Sequence, residues 1–166
     1  MIVKENMLKK KRIEINEKSM TIAFVFLAFI LMTAWTMTQP FNAGPDEPMR
    51  YLVADYILWH HGALPKGDDP AVRNEVWGIS YAYYPVLSYM VSALFMKISR
   101  LFGVRGADMI KAARMADVLF VTGAVYFVIK ASGKLFPKEK YSGEVRWLFV
   151  ALAGFMPQAI FLGTYV

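Results

Sequence analysis

Cysteine is absent from the chain, which removes disulfide frameworks, cysteine-ligated zinc sites and thiol catalysis, and leaves the redox compartment open. Histidine is nearly absent. The only two, His60 and His61, are adjacent; on a helix they project in different directions and no third ligand is near in sequence, which favours a helix-end position at an interface over a metal site. Acids are outnumbered, 13 against 19 Lys and Arg, for a net charge of +6 and a pI near 9.5. In a soluble protein that balance suggests nucleic acid. Here the hydrophobic share is 57% and the mean hydropathy +0.36, so the excess is better read as Lys and Arg on cytoplasmic loops of an integral membrane protein, with no nucleic-acid partner.

The charges are segregated. Residues 1 to 18 hold six basic and three acidic side chains, including the run KKKR from Lys9 to Arg12, whereas residues 39 to 80 hold three basic and six acidic. Between them SMTIAFVFLAFILMTAWTMT, residues 19 to 38, carries no charge and as a helix would cover about 30 Å. This predicts a cytoplasmic N-terminus, a first transmembrane helix over 19–38 and an external loop beyond it. The apolar run is too long, and lacks the small-residue site, for a cleaved signal peptide.

Three apolar stretches follow, at 79–102, 112–130 and 147–166. The connections 97–114 and 130–146 each hold five Lys or Arg, against one and two acids, and three successive spans would put them on opposite sides of the membrane. The stretch 79–102 is the weakest span, with Tyr81, Tyr83, Tyr84, Tyr89, Pro85, Lys97 and Arg100 inside it. Tyrosines at this density suit the headgroup level, so this stretch is expected to lie on the outer face. The resulting fold class is an all-α integral membrane protein. It has about three transmembrane helices (19–38, 112–130, 147–166), a cytoplasmic loop at 131–146 and a long first external loop, 39–111, with interfacial helices near 46–61 and 79–102. Whether 79–102 spans or lies flat is left to charge bias alone.

The external loop opens with FNAGPDEPMRYLVADY, residues 41 to 56, which sets adjacent carboxylates, Asp46 and Glu47, after a Gly-Pro turn. Asp46 suits an N-cap, Glu47 and Pro48 a first turn, and Gly62 the far end of the helix, with Met49, Leu52, Val53, Tyr56 and Trp59 on one amphipathic, membrane-grazing face. Capping and the helix dipole account for the acids without any function. Their place at the outer membrane surface, with Arg50 one turn on, adds a functional reading: an acid there can take a proton from a hydroxyl or bind a divalent cation beside a lipid phosphate. Asp68 and Asp69 lack the spaced oxygen ligands of a calcium loop and read as solvated or capping. Trp77 suits an interfacial belt, and the eleven methionines fill gaps in apolar helices.

A first span, then PDEP opening an outer-face helix, then Arg114 in AARMADVLF starting a later span, then the Pro-containing GFMPQAIFLGTYV: over residues 19 to 166 this arrangement resembles the N-terminal part of GT-C type glycosyltransferases. The similarity is to bacterial members related to protein mannosyltransferases and aminoarabinose transferases, and to relatives with a PDEP loop. The resemblance implies a multi-span enzyme of the cell envelope that moves a sugar from a polyprenyl-phosphate donor to an acceptor on the outer face. It implies Asp46 as catalytic base, with Glu47 orienting acceptor or carboxylate or sharing a divalent metal ion with Asp46. Arg50 and Arg114 are then the candidates for the phosphate, although Arg114 also has Asp117 at i, i+3 for a local ion pair. The family's Asn and Asp of the second external loop would follow FLGTYV, so the chain reads as half a site from a longer protein. The competing class is a small non-enzymatic membrane protein, a transport or flippase component or an assembly subunit. Transporters place polar groups at the bilayer midplane on broken helices, and here the candidate acids sit at the surface.

Overall fold

In a computed structural model the described residues are 16–84 and 86–164. The basic run from Lys9 to Arg12, Pro85, and the final Tyr165 and Val166 lie outside them. Among the described residues all regular structure is helical: α1 (Glu17–Thr38), α2 (Glu47–Trp59), α3 (Leu87–Leu101), α4 (Met109–Leu135), α5 (Gly143–Gly154) and α6 (Pro157–Leu162), with three short 3-10 turns. Two of these are long and apolar enough to cross a membrane, α1 and the stretch 106–135 that contains α4.

The starts and stops follow local chemistry. Asn16 caps α1 by accepting the Lys18 amide at 3.0 Å. His61 and Gly62 turn left-handed after α2, with φ of 57° and 91°, and the Gly62 amide returns to the Ile57 carbonyl at 2.8 Å. At the chain's last apolar stretch, expected as one span over 147–166, the helix instead breaks at Phe155 and Met156. Proline has no amide to continue the ladder and forces the residue before it out of the helical region, and Met156 before Pro157 duly sits at ψ 142°. The result is a helix of 12 residues and one of 6, each short of a bilayer's thickness.

Helix α4 is the shared wall of the molecule. Its first turns pack with α2 and α3 around Val53, Ala54, Ile57, Tyr89, Ala93, Met96 and Ala113. Its second half packs with α1 and α5 around Ala28, Val125, Ile129, Trp147 and Val150. Thr36, near the end of α1, lies beside Arg114, near the start of α4, and Ala28 clusters with Ile129, so α1 and α4 run antiparallel. The connection after α4 therefore meets the start of α1. There Arg146 binds Glu17 at 3.0 Å, the Ser132 hydroxyl at 3.0 Å and the Ile129 carbonyl at 3.2 Å, and Lys138 reaches Glu17 at 3.4 Å.

Helix α2 does not present the face expected of it. Met49, Val53, Ala54 and Ile57 are its buried apolar residues, while Leu52 and Trp59, placed on the same stripe by spacing, are exposed. The inward face is rotated because α2 is covered by α3 and α4 rather than lying alone on lipid. Helix α3 is amphipathic in an unusual sense. Tyr89, Ser92, Ala93 and Met96 face the protein, and Leu87, Met90, Leu94, Ile98 and Leu101 form an exposed apolar stripe on the other side. Phe26, Leu27, Ile30 and Trp35 of α1, with Phe120 and Phe127 of α4, are likewise exposed.

Candidate functional site

The segment between α1 and α2 is tightly wound. Asn42 and Asp46 both adopt left-handed conformations, with φ of 64° and 57°, a region that Asn and Asp enter more readily than other side chains. Asp46 thus stands at the N-cap of α2 without capping it: its side chain accepts no amide of the first turn, although its carbonyl receives the Met49 and Arg50 amides at 3.0 and 3.1 Å. The left-handed backbone turns the carboxylate away from the helix. It is exposed, and its Oδ2 accepts the Tyr81 hydroxyl at 2.7 Å.

Glu47 goes the other way. It is completely buried, and its two oxygens accept Arg114 Nε at 2.7 Å and Nη2 at 2.9 Å in a forked pair, with the Asn42 amide at 2.7 Å on Oε2. The remaining Arg114 donors go to the carbonyls of Thr36 at 3.2 Å, Gln39 at 2.7 Å and Pro40 at 2.8 Å. A guanidinium has five N–H donors, and all of them are engaged here. Arg114 is a clasp that ties the end of α1 and the start of α2 to α4. With no exposed surface and no spare donor, it does not offer a phosphate-binding group in this arrangement, and its partner is Glu47 rather than the neighbouring Asp117.

Arg50, one turn after Asp46, lies over the Tyr81 ring with its guanidinium carbon 4.9 Å from the centroid, and Tyr84 stacks on Tyr81 at 5.1 Å. Its charge acts on Tyr81, Tyr89 and Asp117, which places Asp117 on the Arg50 side of α4. The hydrogen bond to Asp46 holds the Tyr81 hydroxyl above its usual range, reinforced by burial, against the opposing influence of Arg50. Asp46, exposed, and the half-buried Arg50 and Tyr81 therefore form one group, with Asp117 within electrostatic reach of Arg50.

No family model, curated protein or solved structure matches the chain.

A metal ion held jointly by Asp46 and Glu47 does not fit these residues. Glu47 spends both oxygens on Arg114 and Asn42, and no cluster of three His, Asp or Glu forms among the described residues. The remaining candidates are placed apart from this group. His60 lies flat on Tyr56, with ring centroids 3.8 Å apart, and its Nδ1 is 2.9 Å from the Tyr56 carbonyl. Asp69 caps a 3-10 turn by accepting the Ala71 amide. Trp77 is exposed in a loop that Asn74 and Arg73 organise. Sequence reasoning did not single out Tyr81 as the partner of Asp46. The two are 35 residues apart, with no spacing signal to join them.

Proposed function

We propose that this chain serves polyprenyl-phosphate-dependent glycosyl transfer at the outer face of a cell membrane, with Asp46 as the general base. The observation that supports this most directly is the exposed Asp46 carboxylate, turned out of its helix by a left-handed backbone and held by Tyr81 beside Arg50. In the reaction, an acceptor hydroxyl passes its proton to Asp46 as its oxygen attacks the anomeric carbon. The new glycosidic bond forms as the bond to phosphate breaks, and the polyprenyl phosphate leaves with the electron pair. Arg50 is the cation placed to stabilise the leaving phosphate, and Tyr81 orients the base. Glu47 and Arg114 are assigned to positioning, since their clasp sets where residues 39 to 46 turn.

In this reading α1 and α4 span the membrane antiparallel, residues 39–108 lie outside, and the 136–142 connection lies inside with the N-terminus. The exposed stripe of α3 rests in the outer leaflet. The test is sugar transfer by the full-length protein in membranes supplied with a polyprenyl-phosphate sugar. An Asp46→Asn variant that folds and transfers at the native rate removes Asp46 from the mechanism.

A further inference from the structure

A concavity lies on a different face of α2 from the Asp46 group. Successive helical residues are about 100° apart, so Tyr51, Asp55, Leu58 and Trp59 face away from Arg50 and the Asp46 group. These side chains, with Arg100 at the end of α3, Val104 and Arg105 in the turn that follows, and Met109 at the start of α4, line a half-open cavity of about 240 Å³. Its chemistry is divided. Leu58, Val104 and Met109 supply an apolar wall, and Arg100 lies over the Trp59 ring at 4.1 Å. Trp59 Nε1 donates to Asp55 Oδ1 at 3.0 Å, which fixes the carboxylate and the indole together. Arg105 is exposed, and no hydrogen bond or ion pair ties it to another described residue. Leu101 and Phe102, directly after Arg100, are 81% and 82% exposed, the sort of apolar surface that acyl chains cover.

We propose that this cavity binds the headgroup of an anionic, hydroxyl-bearing phospholipid, a site separate from the sugar-transfer group. Two arginines and one carboxylate line it, so the net charge of the lining is complementary to a single phosphodiester charge. The phosphate sits on Arg100 and Arg105, a headgroup hydroxyl donates to Asp55, and the acyl chains leave over Leu101 and Phe102. Burial raises the Asp55 carboxyl above its ordinary range, opposed by the Trp59 N–H and Arg100. The site rests on the membrane placement of α1 and α4 and is independent of any role for Asp46.

The test is native mass spectrometry of the full-length protein in detergent, with phosphatidylglycerol, phosphatidylcholine or inorganic phosphate added separately. Wild type is expected to retain phosphatidylglycerol at least fivefold better than phosphatidylcholine, and Arg105→Gln, at a residue without structural partners, to lose most of that preference. Arg100→Gln/Arg105→Gln should abolish it. Inorganic phosphate that displaces the lipid supports headgroup recognition at the cavity. Equal retention by wild type and Arg105→Gln would overturn the proposal. So would an equal loss in Lys97→Gln/Lys111→Gln, which removes two nearby positive charges outside the cavity and would make the attraction a general surface effect. Unchanged lipid retention in Asp46→Asn keeps this result separate from the catalytic one.

Discussion

Glu47 and Arg114 share two hydrogen bonds, of 2.7 and 2.9 Å, across 67 residues of sequence, and neither side chain has any exposed surface. Such a pair gains little over an apolar substitute because both charges lose their water, but removing one partner strands the other. Glu47→Ala or Arg114→Ala should therefore destabilise the fold by about 3–5 kcal/mol, read as a lowered unfolding midpoint in detergent. The paired Glu47→Leu/Arg114→Met should cost less than the sum of the single changes but recover only part of the loss, because the carbonyls of Thr36, Gln39 and Pro40 and the Asn42 amide are left without these partners. If the double change is as damaging as the sum of the single ones, the pair is not coupled as described.

On the proposed role of Asp46 as general base, Asp46→Asn should lower sugar transfer by about 10²–10⁴-fold, the usual range for such a group. Tyr81→Phe keeps the ring under Arg50 and deletes the hydroxyl that donates to Asp46. It should lower kcat by about tenfold or less with KM and thermal stability unchanged, because the base loses its orientation while binding and fold are kept. A purely structural Tyr81 would instead lower the unfolding midpoint.

Tyr51 provides a pH prediction. Its hydroxyl is pushed up from 10.0 to about 12, first by burial and then by the Asp55 carboxylate. Since the folded value lies above the unfolded one, the stabilisation is complete below about pH 10 and is lost as pH rises towards about 12. Alkaline titration followed by tyrosinate absorbance and unfolding midpoint should show stability falling in that window. Tyr51→Phe should flatten the fall, and an unchanged slope would contradict the assignment.

Because the chain contains no cysteine, single introduced thiols report the topology without background. Cysteine at Lys138, exposed at the Glu17 end of the helices, should be labelled from the same side as the N-terminus, and cysteine at Lys66 from the opposite side. Labelling of both from one side would sink the antiparallel membrane arrangement of α1 and α4.

The sequence made α1 plain, since an uncharged apolar run of membrane length has few other uses, and it singled out the PDEP turn because acids at such a boundary are conspicuous. It was misleading about the last stretch, where hydropathy averages over a proline whose backbone effect is local. Most of the site was not legible. Adjacent acids look equivalent in one dimension, and only the left-handed turn at Asp46 sends one outward while Glu47 goes inward. The partners of those acids, Tyr81 and Arg114, are brought by other helices, and no periodicity within α2 encodes them.

The positive φ at Asp46 also governs how substitutions there must be interpreted. Asn shares the carboxylate's shape and its tolerance of left-handed backbone, so lost activity in that variant speaks of protons and charge. Ala would lose the same carboxylate while straining the turn that joins α1 to α2. An alanine scan across this loop would therefore mix chemistry with conformation at the one residue where the two most need to be told apart.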